Sequence, residues 1–285
     1  MVKTRGMSEP RRRVTLVTGS TDGIGRQTAL VLAGAGHQVI VHGRTRPKVE
    51  ATLAFLRERV PAAAEEGRLE GVSFDLGSMA SVRRGAAEIA ERWQALDVLI
   101  NNAGIFASER MVTDDGIELS LAVNYVGPFL LTHLLAPLLE RGAPARVINV
   151  ASIAHTRGRI HLDDLTLSRA FTGYAAYAQS KLAQVMHALS LAERWAPSVL
   201  AAYSLHPGVV ATKLLRDGFG PVRGAPVEDG ARTAIMLASA EQIEEPSGGY
   251  FSEGVVAPVA SAALDDDARS ALWVATERLA GIAAA

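Results

Sequence analysis

Apolar residues recur along this chain in two alternating patterns. Short β-branched runs such as Val14-Thr-Leu-Val-Thr18 and Gln38-Val-Ile-Val-His42 read as strands. Between them, residues 24–33 carry apolar side chains at helical spacing and end at Gly34 and Gly36, where glycine commonly closes a helix. Pro47 then opens a helix toward Val60, as proline does in a first helical turn. A strand at 70–74, a helix at 79–93 and a strand at 96–100 follow. Residues 115–140 read as a long apolar helix, with Pro128 and Pro137 expected to kink or stop it early. Strands at 146–150, 199–205 and 249–252 alternate with helices at 175–195, 228–240 and 266–280.

Short apolar strands separated by helices predict parallel pairing, right-handed crossovers and helices over both faces of the sheet. The fold class expected is therefore α/β, a doubly wound parallel (Rossmann-like) sheet in a single domain over 13–285. Residues 1–12 are expected to form a mobile basic tail. No linker or internal repeat divides the chain. Two stretches, 154–172 and 216–226, read as insertions at the rim of the sheet, where long loops often serve as lids.

Composition narrows the chemistry. Of 285 residues, 48% are hydrophobic and 21% charged, and the net charge is −1, which argues against disorder and against a basic nucleic-acid surface. The absence of cysteine removes disulfides, thiolate metal sites and cysteine nucleophiles. The seven histidines form no His-x-x-x-His pair, so no metal site is expected. No Gly-x-Ser-x-Gly elbow is present, and the arrangement of serine, histidine and acid suggests no hydrolase triad. The start of the chain has no secretory apolar core, and no run of about 18 uncharged apolar residues is read as a membrane span. A cytoplasmic protein is expected.

The segment Thr18-Gly19-Ser20-Thr21-Asp22-Gly23-Ile24-Gly25 joins the first strand to the first helix. Ligands of open α/β sheets sit at such strand ends, and a helix start there presents free N–H groups to phosphate. The second strand ends in Val41-His42-Gly43-Arg44. A carboxylate at this point would take the ribose 2′-hydroxyl of NAD, whereas arginine accommodates a 2′-phosphate. Arg44 thus predicts a preference for NADP(H) over NAD(H).

Tyr177-Ala-Gln-Ser-Lys181 places a phenol and an ammonium four residues apart on one helix face. Bringing a tyrosine pKa from ~10 to ~7 needs about 4 kcal/mol. A cation ~4 Å away at an effective dielectric of ~20 supplies about that much. The pair is a chemically sensible general acid/base. Ser152, just past the fifth strand, could orient a carbonyl. Asn124, alone in an apolar stretch, must organise water or brace backbone.

In chain order, Thr18-Gly-x-x-x-Gly-x-Gly25, Asn101-Asn-Ala-Gly104, Asn124, Ser152, Tyr177-x-x-x-Lys181 and Pro207-Gly208 resemble the short-chain dehydrogenase/reductase family. The resemblance implies catalytic roles for Asn124, Ser152, Tyr177 and Lys181. Tyr177 would be the acid/base, Lys181 would lower its pKa and bind the nicotinamide ribose, Ser152 would orient the carbonyl, and Asn124 would hold a relay water. Cofactor contacts would come from Gly19, Ser20, Thr21, Gly23, Ile24 and Gly25, from Arg44, and from Asp75 and Leu76 at the adenine. Asn102, Ala103 and Gly104 would line the cleft, and Pro207, Gly208, Val210 and Thr212 would meet the nicotinamide end with Tyr177 and Lys181.

Asn149-Val-Ala-Ser152-Ile-Ala-His155, Leu205-His206-Pro207-Gly208-Val209-Val210-Ala211-Thr212 and Ala271-Leu272-Trp273 with Glu277 are similar to the retinol dehydrogenase-like and protochlorophyllide reductase-like branch. So is the wide spacing between Ser152 and Tyr177. Ala151 departs from a serine common before the catalytic serine, and no apolar N-terminal anchor like that of animal retinol dehydrogenases is read. The function expected is an NADP(H)-dependent oxidoreductase interconverting a carbonyl and an alcohol on an apolar small molecule, for which Phe171, Leu214, Leu215 and Phe219 are candidate contacts. The alternative is a non-catalytic NADP(H) sensor on the same fold. Homo-oligomers are common in the family, and no decisive interface is legible here.

Overall fold

The computed structural model describes residues 12–282. The expected tail lies outside these residues except for its last member, Arg12, which pairs with Glu66 at 2.9 Å. The neighbouring Arg13 donates to the carbonyls of Ala238 and Ala240.

The strands are β1 (Val14–Val17), β2 (Gln38–Gly43), β3 (Leu69–Ser73), β4 (Val98–Asn101), β5 (Ala145–Val150), β6 (Leu200–His206), β7 (Tyr250–Ser252) and β8 (Val255–Val256). They form one eight-stranded sheet in the order β3-β2-β1-β4-β5-β6-β7-β8. Pairing is parallel through β7, so the doubly wound sheet is present. The last pair, β7 with β8, is antiparallel and closes through Glu253 and Gly254, both at positive φ. The winding direction reverses between β1 and β4, and the crevice at such a switch point is where open α/β sheets take ligands.

The strands alternate strictly between two cores. Val39 and Val41 face one layer and Ile40 the other; Val98 and Ile100 face the first and Leu99 the second. Period-two alternation with both sets apolar explains why each strand reads as continuously hydrophobic. The first layer is built by α1 (Gly23–Gly34), α2 (Arg46–Arg59) and α9 (Val227–Ser239). The second is built by α4 (Met79–Arg92), α6 (Gly127–Arg141), α7 (Gly173–Arg194) and α10 (Asp266–Leu279). Two short helices had no counterpart in the sequence pattern: α3 (Pro61–Glu65), and α8 (Lys213–Phe219), which overlaps the expected rim insertion at 216–226.

The long apolar stretch differs from expectation at both prolines. Its helix starts at α5 (Leu119–Leu121), where the Glu118 carboxylate accepts from the N–H groups of Ser120 and Leu121. A π-helical turn, Ala122–Val126, absorbs one extra residue and leads directly into α6. Pro128 therefore sits in the opening turn of α6, where a missing N–H is tolerated, and Pro137 lies inside the helix without ending it. Taken whole, Leu119–Arg141 is long and apolar enough by length and composition to cross a membrane, although no span is read there from the sequence. Most of it is buried against the sheet in this fold.

Candidate active site

The carboxyl ends of β1, β2, β4, β5 and β6 open onto one cleft of about 850 Å³, which runs from Arg44 to Tyr177 and Phe219. A volume of this size is typical of small-molecule sites. One end is shaped by the loop after β1. Gly19 has φ +62° and packs so closely on residue 103 that an added Cβ would lie 2.8 Å from the Ala103 Cα. Both features exclude side chains there. The Asn102 amide donates to the carbonyls of Thr18 and Gly19, and the Thr18 hydroxyl accepts from the N–H groups of Asn102 and Ala103. These bonds clamp the loop to the end of β4. Asp22 caps α1 by accepting from the Gly23 N–H.

The structure brings most of the expected residues to this cleft. Gly19, Thr21, Gly23, Ile24 and Gly25 line the loop end, with Arg44, Asp75 and Leu76 beside them. Asn102, Ala103 and Gly104 form the floor, and Pro207, Gly208, Val210 and Thr212 the far wall. Ser20 is an exception. It is buried, its hydroxyl accepts from the His42 N–H at 2.9 Å, and it braces β2 instead of facing the cleft. Arg44 is exposed and forms no ion pair among the described residues.

At the other end, Tyr177 and Lys181 project from the second and third turns of α7, whose start is capped by the Thr172 hydroxyl. Ser152 follows β5 in extended backbone, its hydroxyl accepts from the Ala154 N–H at 3.2 Å, and it lines the cleft together with Tyr177. The Lys181 ammonium donates to the Val150 carbonyl (2.9 Å) and to the Gln184 Oε1 (2.8 Å), and lies 5.5 Å from the centre of the Tyr177 ring. Burial pushes the phenol up to about 12, opposed by the nearby Ser152 hydroxyl. The same burial pulls the Lys181 ammonium down to about 7. Desolvation sets the direction for the phenol, opposite to the acidification by Lys181 expected from helical spacing.

Asn124 stands behind the floor, outside the cleft lining. Its amide is fully engaged: Oδ1 accepts from the Ile105 N–H, and Nδ2 donates to the Ile105 carbonyl and the Ser180 hydroxyl. Its side chain therefore braces backbone. Four residues on from Asn124 stands Pro128, which has no N–H to return to the Asn124 carbonyl in an ordinary helical bond.

Several lining residues escaped the sequence reading. Tyr174 lies one turn before Tyr177 on the same helix and reaches the cleft, its ring 6.5 Å from Phe219. Helical i, i+3 geometry was the available signal. His206 lines the cleft and sits at the carboxyl end of β6, next to Pro207. Phe106 packs on both Tyr177 (5.6 Å) and Phe219 (5.1 Å) from a loop with no periodicity to mark it. Among the expected apolar contacts, Leu214, Leu215 and Phe219 line the cleft and Phe171 does not.

Buried His155 holds Ser152 from behind. Its Nδ1–H donates to the Ser152 carbonyl at 2.8 Å, and its Nε2 accepts from the Ala260 N–H at 3.2 Å. Only the neutral Nδ1–H tautomer satisfies both partners.

The arrangement fits a dinucleotide. A turn with glycine at positive φ opens onto a helix N-terminus, and a glycine floor follows. A Cβ at Gly104 would come within 3.4 Å of the Lys181 ammonium and 3.5 Å of the Asn124 Oδ1, filling the space in front of both.

Comparison with known proteins agrees. A family profile described as short chain dehydrogenase matches residues 13–219. Human Dehydrogenase/reductase SDR family member 13 is 41% identical, with 97% of this chain and 75% of the relative covered. Human Retinol dehydrogenase 14 is 36% identical, with 95% of this chain and 87% of the relative covered. A solved protein structure from Mycobacterium paratuberculosis superimposes with a TM-score of 0.77 at 33% identity, covering 94% and 93% of the two chains. With the switch-point cleft, the glycine loop and this extent of likeness together, the chain belongs to the short-chain dehydrogenase/reductase family and is an NAD(P)-dependent oxidoreductase.

Proposed function

We propose that the protein interconverts a carbonyl and an alcohol on an apolar small molecule, with NADP(H) as its preferred cofactor and Tyr177 as general acid/base. The observation that carries this reading is that Ser152, Tyr177 and Lys181 line the inner end of one cleft whose outer end is the glycine loop.

When bound, the nicotinamide supplies or accepts the hydride. The Ser152 hydroxyl and the Tyr177 phenol would both donate to the substrate's carbonyl oxygen, since both residues line the inner end of the cleft. A phenol held at about 12 keeps its proton at neutral pH, so Tyr177 is poised to donate, which suits reduction. Lys181 has donated two of its three N–H bonds to protein acceptors and has a third for a ribose hydroxyl or the phenolate. Leu214, Leu215 and Phe219 on α8, with Tyr174 and Val222, make the substrate end apolar and exclude water from the reacting atoms.

Arg44 supports the NADP(H) preference: an exposed guanidinium without an ion pair among the described residues can take a phosphomonoester in paired hydrogen bonds. Turnover is tested by loss of NADPH absorbance with a panel of ketones and aldehydes. Tyr177→Phe is expected to abolish turnover while NADPH binding persists, and retained turnover would overturn the assignment. Arg44→Asp should lower the ratio of kcat/KM for NADPH over NADH by more than tenfold, and an unchanged ratio refutes the phosphate role.

A further inference from the structure

His42 is a buried titratable group for which the reaction has no use. It lies at the carboxyl end of β2 and its ring lines the cofactor end of the cleft. The Gly19 N–H donates to its Nδ1 at 3.0 Å. Nδ1 must therefore be the unprotonated nitrogen, and the proton sits on Nε2, which donates to the Phe74 carbonyl at 3.1 Å. The ring also packs on Phe74 at 4.1 Å. Its backbone is tied to the same loop: the His42 N–H donates to the Ser20 hydroxyl, and the His42 carbonyl accepts from the Ser20 N–H. One side chain thus joins the left-handed turn after β1 to the end of β3, next to Asp75.

We propose that His42 is a positioning residue for the adenosine half of the cofactor, a neutral imidazole that sets the distance between the glycine loop and the Phe74-Asp75 wall. The inference rests on the NAD(P) reading of the cleft. Burial pulls the imidazole down to about 4, with Phe74 and Asp75 opposing, so the neutral tautomer persists at working pH. The bond to Nδ1 also withdraws the Gly19 N–H from the ligand. Phosphate is left to the later amides of the loop and α1, and the turn at φ +62° is held in one orientation before anything binds. A pre-set loop lowers the ordering cost of binding.

The experiment compares His42→Phe, His42→Asn and His42→Gln. The probes are NADPH, followed by its fluorescence, and 2′-phospho-ADP-ribose, followed by calorimetry. Phenylalanine keeps ring packing and removes both bonds. Asparagine can return an acceptor to Gly19, and glutamine a donor to Phe74.

His42→Phe is expected to weaken both ligands by the same roughly 10- to 100-fold, because the loss lies away from the nicotinamide. His42→Asn should stay within about fivefold of the parent. A folded His42→Phe with unchanged affinities overturns the proposal, and so does a His42→Asn as weak as His42→Phe, which would assign the effect to ring volume. If His42→Phe does not fold, the comparison of Asn with Gln decides: Asn must bind NADPH at least fivefold tighter. NADPH binding by the unsubstituted protein is the control that separates failure of this inference from failure of the cofactor reading.

Discussion

Lys181 makes the protein less stable than a neutral residue would, and the cost can be measured. The ammonium is buried and has no carboxylate partner among the described residues; burial alone brings it from 10.5 to about 7. At ~1.4 kcal/mol per tenfold change, the charged form costs the native state about 5 kcal/mol relative to the unfolded chain. The sign follows from proton counts. Below pH 7 both states hold the proton and the whole cost is present. Between pH 7 and 10.5 only the unfolded chain holds it, so stability rises with pH by at most ~1.4 kcal/mol per unit. Above that range the cost is gone.

Lys181→Met removes this titration but leaves the Val150 carbonyl and the Gln184 Oε1 without their donor, a loss of about 2–4 kcal/mol together. The variant should therefore be as stable as the parent or more so at pH 6, and less stable by about 2–4 kcal/mol at pH 10. Urea unfolding of both cofactor-free proteins across this range reads the difference directly, because all other titrating groups cancel. A difference that does not change between pH 7 and pH 10 would refute the burial argument for Lys181.

Two further outcomes follow from the packing. Asn124→Leu leaves the Ile105 N–H and carbonyl without partners behind the floor, so urea unfolding should show a loss of about 2–4 kcal/mol. Gly85 lies on α4 directly beneath the Phe74 ring, which an added Cβ would overlap. Gly85→Ala is thus expected to cost about 1–3 kcal/mol by thermal or urea unfolding, although alanine has the better helix propensity; a gain in stability would show that α4 can shift away from the strand.

The fold was legible because its signals are local. Alternation in residues 38–42 and glycines after residue 33 depend on near neighbours only, and the strands and helices they mark stand within a few residues of their expected places. What was missed depends on tertiary contact. The π-helical turn at Ala122–Val126 carries no periodic signature, and Pro128 looked like a stop because its tolerance depends on that turn. Helix α8 begins with only seven residues, too few for a pattern, yet it brings Phe219 onto Tyr177. Ser20 and Thr21 are equivalent in sequence, but β2 takes the Ser20 hydroxyl and leaves Thr21 to the cleft. Nothing in the sequence marks His42 or His155 for a role, and in the fold both ring nitrogens of each are hydrogen-bonded. Their importance lies in which loops they tie together.

Spacing alone cannot give the charge state of the Tyr177–Lys181 pair. Four residues on a helix bring a cation near a phenol, and in a wet site that would lower the phenol. Packing under α8 and against Phe106 changes the balance, because removing water opposes ionisation of both groups. The phenol rises and the ammonium falls, so at neutral pH the pair approaches a state with the proton on Tyr177 and little net charge. Burying the pair costs the fold, as the Lys181 shift shows, and it leaves the proton on the phenol. Under the proposed mechanism the phenol would act as a base only when positive charge enters the cleft beside it, so the form of the bound cofactor would set the direction of proton transfer, with Lys181 held by Val150 and Gln184.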